Sequence, residues 1–352
     1  MLLTKEIYRD DSFQRIKKIF YNEKDQIIGT LETFKGKEEG DEFGRLDVHE
    51  YTDESYRLIQ YKNDTKAYAH FTSQGHKVLG KNGWYSIEEA ASVQDFKYEN
   101  GLLLARNCRS EDGTTYSYHY TYQNGVKVSE KSVAVDGTVT KINYTYQGKT
   151  VLSQSTIIND RFSDQINYRY DQNGLLVEEQ KFLKHGESLF LSTQKNFFYN
   201  AKKELEKTEH HGRYDGKMYL YKVEETIRKG NERNIKLYLI PEVEMVIGQY
   251  DMASMHDYMK RSHMEFAIPI FNKEYITKTK LQLLGHNTET VDEQGKVIES
   301  KVINPENNEE IGKVLYRNEY NEKSLLEFVI CYRVLENGKA EESSIEKYYY
   351  KE

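Results

Sequence analysis

The chain carries an internal repeat of 24 residues, and this repeat constrains its fold more than any other feature. Each copy places an aromatic-x-aromatic triplet before a turn sequence, and the second aromatic falls at Tyr98, Tyr122, Tyr146 and Tyr170. Degenerate copies are Phe197-Phe198-Tyr199-Asn200 and Phe20-Tyr21-Asn22-Glu23. A fixed period of this kind indicates one supersecondary unit that recurs along the chain.

Turn signals occur twice in each repeat. Asn100-Gly101 and Asn124-Gly125 follow the aromatic triplets, and Asp112-Gly113 and Asp136-Gly137 lie midway between them. These dipeptides accept positive φ, which a tight hairpin turn requires. Strands of about ten residues, roughly 33 Å long, remain between turns. The pattern therefore predicts a meander of long antiparallel strands.

Alternation within the repeats supports strands over helices. Tyr118, Tyr120 and Tyr122 share one parity, as do Tyr144 with Tyr146 and Tyr168 with Tyr170. A strand would place each set in one column, whereas a helix would scatter it. In the following strand Val126 and Val128 differ in parity from Val133 and Val135, which predicts a bulge.

The whole chain is predicted to be all-β, an elongated antiparallel meander of two-stranded repeats whose sheet is open or partly curled. One or two short helices are expected: residues 87–94, after the capping-box sequence Ser86-Ile87-Glu88-Glu89, and residues 249–265. Met252, Met255 and Met259 would lie on one face of the second helix. Four segments of one continuous unit are expected: 1–95 with looser hairpins, 96–240 with regular repeats, 241–285 with a helical insertion, and 286–352 with C-terminal hairpins.

Composition and charge exclude several classes of protein. Thirteen per cent of the residues are aromatic, which argues against disorder, and the net charge of −7 predicts no nucleic-acid partner. No run of about 20 apolar residues is present, so no membrane span is predicted. With two cysteines and no signal peptide after Met1, the sequence predicts reduced thiols and a cytoplasmic location, or an exported protein if a leader was removed.

Motifs for known chemistry are missing. The sequence contains no G-x-G-x-x-G, no phosphate-binding loop, no G-x-S-x-G and no H-E-x-x-H, so no cofactor and no catalytic residue is predicted. Glu209-His210-His211 is the nearest approach to a metal site. Adjacent histidines on a strand point to opposite faces, which favours a polar segment over a metal ligand set.

One repeat resembles the YD repeat of RHS-type bacterial proteins. The residues that carry the resemblance are Tyr168-Arg169-Tyr170-Asp171-Gln172-Asn173-Gly174-Leu175, and residues 96–205 follow the same spacing with Glu or Gln in place of the Asp. The resemblance implies a continuous Tyr-rich sheet, which in that family can curl into a shell around a toxin. The motif that ends such shells by self-cleavage is missing here. MORN-type repeats are a weaker resemblance.

These observations predict a non-enzymatic protein-binding or scaffold protein. The resemblance adds a toxin-neutralising or secretion-associated role, with another protein as the partner. The candidate binding surface consists of Tyr118, Tyr120, Tyr122, Tyr144, Tyr146, Tyr168 and Tyr170, and the candidate docking helix carries Met252, Met255 and Met259. The same tyrosines could also pack the sheet, since aromatic cross-strand pairs stabilise it. Two alternatives stay open: a carbohydrate-binding protein that uses the tyrosines as platforms, and a hydrolase with an unrecognised site.

Overall fold

A computed structural model describes residues 2–9, 13–35, 42–64, 68–72, 75–80, 83–85, 87, 90–185, 188–214, 217–240, 281–335 and 337–350. The chain forms two compact units. Unit 1 comprises Met1–Lys141 with Val314–Glu352, and unit 2 comprises Ile142–Lys313. The predicted helix at 249–265, with its three methionines, lies outside the described residues.

The described residues form 25 strands: β1 Leu2–Arg9, β2 Phe13–Tyr21, β3 Ile27–Lys35, β4 Glu42–Tyr51, β5 Ser55–Asp64, β6 Tyr68–Thr72, β7 Gly75–Gly80, β8 Gly83–Tyr85, β9 Ser92–Glu99, β10 Leu102–Ser110, β11 Thr115–Gln123, β12 Val126–Val133, β13 Val139–Gln147, β14 Thr150–Ile158, β15 Arg161–Tyr170, β16 Leu176–His185, β17 Ser188–Tyr199, β18 Leu205–Tyr214, β19 Lys217–Lys229, β20 Glu232–Leu239, β21 Gln282–Val291, β22 Val297–Ile303, β23 Glu310–Tyr320, β24 Leu326–Val334 and β25 Ala340–Tyr350.

Each unit contains strands that pair antiparallel with their neighbours. In unit 1 the order is β24-β25-β1-β2-β3-β4-β5-β9-β10-β11-β12. Strands β6, β7 and β8 form a separate small sheet. In unit 2 the strands β14 to β22 pair in chain order. The predicted all-β, antiparallel character therefore agrees with the structure.

The predicted open or partly curled meander with short helices is wrong. In unit 1 the first strand β1 pairs with the last strand β25, and β5 pairs with β9, so the strands of this unit do not pair in chain order alone. The two ends of the chain therefore satisfy each other's backbone hydrogen bonds and leave no free edge there. Local sequence periods carry no information about a pairing between residues so far apart in the chain.

The predicted helix at residues 87–94 is also wrong. Strand β9 begins at Ser92, and Ala90 donates one backbone hydrogen bond to the Ile87 carbonyl, as in a single tight turn. Pairing of β9 with both β5 and β10 satisfies its backbone on two sides. That gain outweighs the weak local helix signal.

Turns of two kinds connect the strands, and the first kind is the one that the sequence predicts. Asn124 and Gly125 both have positive φ, 52° and 75°, the combination that a two-residue hairpin turn requires. In the second kind a side-chain oxygen accepts hydrogen bonds from the backbone N–H groups two and four residues later. Five turns share this geometry: those that begin at Asn22, Asp171, Asn200, Asp292 and Asn321.

A bulge recurs after turns of both kinds and confirms the expectation for the strand that follows Tyr122. Thr121 pairs with Ser129 and Tyr122 with Lys127, which leaves Val128 as the extra residue in β12. Val177 in β16 and Glu206 in β18 hold the equivalent position. Because each bulge is local, the register on either side of it stays regular.

Side chains of a later hairpin bind a carbonyl beside three of these turns. The Tyr199 hydroxyl donates to the Leu176 carbonyl at 2.9 Å, the Arg228 guanidinium to that of Leu205 at 2.8 Å, and the Tyr350 hydroxyl to that of Leu326 at 2.8 Å. Each acceptor lies five residues after the Asp or Asn that begins the turn. The hydrogen bonds give Tyr199 and Tyr350 a structural role that the alternation of the sequence does not show.

The apolar core of unit 1 is small. It consists of Leu46, Val48, Ile59, Tyr61, Ala90 and Val93, with Leu31 and Ile87 packed against it. Ile59 and Val93 are cross-strand partners, so this core lies on one face of β4, β5 and β9. The opposite face of these strands is therefore available to other side chains.

Two glycines of unit 2 test the turn geometry. Gly295 has a φ of +76°, whereas a Cβ at Gly312 would make ordinary contact with Val302 Cβ at 3.8 Å. We expect Gly295→Ala to lower the free energy of unfolding by about 1–2 kcal/mol, because an L-residue is strained at that φ. Gly312→Ala should be neutral or stabilising by up to about 1 kcal/mol. Urea denaturation measures both, and equal effects would contradict the assigned turn.

The carboxyl group of Asp171 tests the second kind of turn. Hydrogen bonds from the backbone N–H groups of Leu175 and Asn173 lower its pKa from the ordinary value. The ionised group therefore stabilises the folded state above its unfolded pKa, and this contribution is lost as the pH falls through the folded pKa. Asp171→Asn keeps an acceptor but does not titrate. Between pH 7 and pH 3 the urea midpoint of the wild type should fall further than that of the variant, and parallel curves would refute this.

Candidate functional site

The seven predicted surface tyrosines lie on three strands and are all half-buried. Tyr118, Tyr120 and Tyr122 belong to β11 in unit 1, whereas Tyr144 and Tyr146 on β13 and Tyr168 and Tyr170 on β15 belong to unit 2. Strand β12, which pairs with β11, places the charged residue Glu130 opposite Tyr120. In the same way β16, which pairs with β15, places Glu179 opposite Tyr168. Tyrosine columns therefore alternate with charged columns.

One row of unit 1 brings together residues that the sequence left far apart. Tyr51, Tyr56, Phe96, Arg106 and Tyr118 are successive cross-strand partners on β4, β5, β9, β10 and β11. We call these five residues the aromatic strip. They lie on the face of the sheet opposite the apolar core, because Ile59 and Val93 have the other parity from Tyr56 and Phe96.

The side chains of the aromatic strip stack on one another. The ring centroids of Tyr51 and Tyr56 are 5.1 Å apart, and those of Tyr56 and Phe96 are 5.0 Å apart. The Arg106 guanidinium lies 5.5 Å from the centroid of Phe96 and 5.3 Å from that of Tyr118. Ring pairs at this distance and cation–π contacts each stabilise the folded chain. The strip is therefore a preformed surface whose side chains hold one another in place.

Hydrogen bonds fix two polar groups of the strip, the Arg106 guanidinium and the Tyr56 hydroxyl. Arg106 Nη2 donates to Gln94 Oε1 at 2.9 Å, which orients the guanidinium plane between the two rings. At the other end His49 Nδ1 and the Tyr56 hydroxyl are 2.7 Å apart. Burial raises the pKa of Tyr56 to about 12, helped by Tyr51 and Asp47, and burial lowers the pKa of His49. At neutral pH the strip therefore presents neutral rings and one fixed cation.

Tyr120 continues this face beyond the strip. Lys127 Nζ lies 5.6 Å from the centre of its ring and 2.5 Å from Glu130 Oε2. Burial raises the pKa of Tyr120, and the charge of Glu130 adds to the shift. The phenol is therefore neutral at any physiological pH.

The tyrosine face of unit 2 has a different chemistry. Tyr168, Glu179, Lys195, His210 and Lys222 are successive partners on β15 to β19. Lys195 pairs with Glu179 at 2.8 Å, and Lys222 and His210 both pair with Glu224, at 2.9 Å and 3.3 Å. Burial, the charge of Glu179 and the neighbouring phenols raise the pKa of Tyr168 to about 12. This row is an ionic ladder with one aromatic end.

The described residues offer no metal centre. Among them no group of three or more His, Cys, Asp and Glu side chains could hold an ion. His210 and His211 pair with Lys195 and Gln194 respectively, so they point to opposite faces as predicted. Cys108 and Cys331 are both half-buried, and neither forms a disulfide. Within the described part of the chain, no helix is long and apolar enough to cross a membrane.

Four residues of the aromatic strip, all except Tyr118, were missed as site residues. Phe96 is the first aromatic of the triplet that ends at Tyr98, but no local pattern selects Tyr56 or joins either ring to Arg106. Their association depends on the pairing of β5 with β9, across the chain segment that contains β6, β7 and β8.

Comparison with known proteins gives no family. No protein-family model and no curated protein matches the sequence. A porin-like protein from Bacteroides uniformis is similar at a TM-score of 0.28 and 10% identity, over 99% of this chain and 97% of that one. A porin-like protein from Bacteroides vulgatus has a TM-score of 0.21 at 9% identity, over 99% and 98%.

A third similar structure is the Photorhabdus luminescens Tc holotoxin pore, with a TM-score of 0.24 and 10% identity over 94% of this chain but 20% of that one. Because all these TM-scores are below 0.5, we take no function and no location from these proteins. The resemblance to YD repeats and the cytoplasmic location stay predictions from the sequence.

Glu178 and Glu179 provide a matched test of the two faces of unit 2. Glu179 lies opposite Tyr168, whereas Glu178 lies on the other face opposite Arg169. Glu179→Gln removes a negative charge that holds the Tyr168 pKa high, so that pKa should fall below about 12. Glu178→Gln should change it much less. Carbon NMR titration of ring-labelled tyrosine, assigned with Tyr168→Phe, measures this, and equal shifts in both variants would refute the facial assignment.

Proposed function

We propose that the protein is a non-enzymatic protein-binding protein and that the aromatic strip of unit 1 is its docking surface. The observation that supports this is one continuous row of three rings, a guanidinium and a fourth ring across five adjacent strands. Tyrosine, phenylalanine and arginine are enriched at protein interfaces, and tyrosine and arginine dominate interface hot spots.

The rigidity of the aromatic strip favours binding. Each member contacts the next, and Gln94 and His49 also hold Arg106 and Tyr56, so little side-chain entropy remains to be lost when a partner docks. Tyr51, at the end of the strip, is 41% exposed and offers a free ring face. A surface of this kind binds by contact area and needs no enclosed cleft.

The charge of the strip indicates the chemistry of its partner. Arg106 is its single cation and contacts neutral groups only: two rings and an amide. A partner that brings apolar side chains with one carboxylate would match both the rings and the guanidinium. A toxin-neutralising or secretion-associated role for this binding rests on the resemblance to RHS-type proteins.

Tyr51 is the residue whose loss tests the proposal with least risk to the fold. We expect Tyr51→Ser to weaken binding of the partner at least about tenfold, or about 1.4 kcal/mol, as removal of a hot-spot ring does. Tyr349→Ser is the control, because Tyr349 is 45% exposed and lies on β25, outside the strip. Both variants should keep the circular dichroism spectrum of the wild type.

The measurement is affinity capture from cells of the source organism, with each purified variant as bait and the captured proteins quantified by mass spectrometry. The proposal predicts one protein that the wild type and Tyr349→Ser capture and that Tyr51→Ser loses. Calorimetry with the recombinant partner then gives the change in affinity. Capture of no partner at micromolar bait, or equal loss with both variants, would overturn it.

A further inference from the structure

Unit 2 carries two rows of polar side chains on the face opposite Tyr168. In the first row Ser153, Asn167, Gln180, Gln194 and His211 are successive cross-strand partners on β14 to β18. In the second row Arg169, Glu178, Asn196 and Glu209 are successive partners on β15 to β18. Members of the two rows lie two residues apart on each strand, so both rows share one face. We call these nine residues the polar rows.

Hydrogen bonds connect the two rows into one network. Gln180 Nε2 donates to Glu178 Oε1 at 3.0 Å and to Gln194 Oε1 at 3.3 Å. Gln194 Nε2 donates to Asn196 Oδ1 at 2.9 Å, and Asn196 Nδ2 lies 3.3 Å from His211 Nε2. These side chains are half-buried and hold one another in defined positions. The network is thus a preorganised array of amide donors and acceptors.

The charges of the polar rows are paired. Glu178 accepts from Arg169 at 2.6 Å, and Glu209 accepts from Lys207 at 2.8 Å and lies 3.5 Å from His211. Burial alone would raise the pKa of Glu209, but the hydrogen bond from Lys207 and its charge lower it overall. With each carboxylate matched to a cation, the array carries little net charge. Such a surface favours a neutral ligand over an anion or a cation.

Unused hydrogen-bonding capacity remains at the centre of the array. A carboxamide offers two N–H donors and an oxygen with two lone pairs. Within the described residues, the Oε1 of Gln180 and the Nδ2 of Asn167 make no hydrogen bond. The Nε2 of Gln180 donates to Glu178 and Gln194, and the Oδ1 of Asn167 accepts from Gln165, so both side chains are held in place. Adjacent donors and acceptors in fixed positions match the paired hydroxyl groups of a sugar, each of which donates and accepts.

Aromatic rings border the polar rows on both sides. Phe182 pairs with Gln165, two residues before Asn167, and therefore lies on the same face. Phe198 follows Asn196 by two residues, is 42% exposed, and pairs with Lys207. An apolar ring can stack on the C–H face of a sugar while amides bind its hydroxyl groups. Rings beside an amide array therefore add the second half of a sugar-binding surface.

We propose that the polar rows bind an unbranched, neutral oligosaccharide that lies across strands β15 to β18. Neighbouring strands are about 4.8 Å apart, close to the length of one sugar residue in an extended chain, so successive sugars would meet successive strands. The four strands accommodate about four sugar residues. An extended peptide would need a free strand edge to pair with, and a nucleic acid would need an excess of cations, and this face offers neither.

This site does not depend on the proposed protein-binding function. It lies in unit 2, uses other residues than the aromatic strip, and binds a different class of ligand. It also differs from the tyrosine platforms that the sequence suggests, since Tyr168 belongs to the opposite face. Failure of one proposal therefore leaves the other intact.

The test uses the full chain and a panel of neutral linear hexasaccharides, of glucose, xylose, mannose and N-acetylglucosamine, with an oligogalacturonate as the charged comparison. Calorimetry should detect one neutral member with a dissociation constant below about 1 mM. Gln180→Leu removes the central amide at similar volume and should weaken that binding roughly tenfold or more, because sugar hydroxyls would be left unpaired.

Gln154→Leu is the matched control. Gln154 is next to Ser153 on β14 but pairs with Ile166, so it lies on the other face, and its replacement should leave the affinity within about twofold. If the circular dichroism spectrum shows that Gln180→Leu does not fold, Gln194→Leu replaces it, and the same loss of affinity is expected. The proposal is overturned if no neutral member binds, if only the oligogalacturonate binds, or if the control loses as much affinity as the row variants.

Discussion

Antiparallel backbone pairing is the constraint on which the rest of the structure depends. The pleat sends alternate side chains to opposite faces, and the register then decides which side chains of neighbouring strands meet. The aromatic strip, the ionic ladder and the polar rows are all consequences of register. A shift of one residue between β16 and β17 would separate Gln180 from Gln194 and place Thr193 or Lys195 opposite Gln180 instead.

The turns and bulges keep that register fixed over many strands. Among the described residues an Asp or Asn side chain closes five of the turns, and the extra residues Val177 and Glu206 lie at the same distance from Asp171 and Asn200, which begin their turns. The hydroxyl of Tyr199 then ties the bulge region of β16 to a later hairpin through the Leu176 carbonyl. A chain with few aliphatic residues can in this way hold a long sheet in order with hydrogen bonds and stacked rings, while the apolar core of unit 1 stays small.

The two surfaces that we propose as binding sites follow one physical logic. Each is a row of side chains preorganised by contacts with its neighbours: rings and a guanidinium in the aromatic strip, and carboxamides with paired charges in the polar rows. Preorganisation lowers the entropy lost on binding. A flat row also suits a ligand that is itself extended or broad, such as a protein surface or a linear glycan. The aromatic strip is mostly apolar and the polar rows are hydrophilic, so the strip suits a protein surface and the polar rows suit a glycan.

Local sequence determined much of this molecule. The dipeptide Asn124-Gly125 fixed a turn, the alternation of Tyr118 and Tyr120 fixed a face, and the parity change after Val128 fixed a bulge, because each depends on a few adjacent residues. The capping-box sequence before Ser92 predicted a helix where the chain forms β9, because backbone pairing on both sides of β9 outweighs a local helix signal. Only tertiary structure decided that β1 pairs with β25, that Arg106 lies between Phe96 and Tyr118, and that Gln180 meets Gln194. These contacts depend on which strands pair and in which register, and that choice minimises the free energy of the whole sheet.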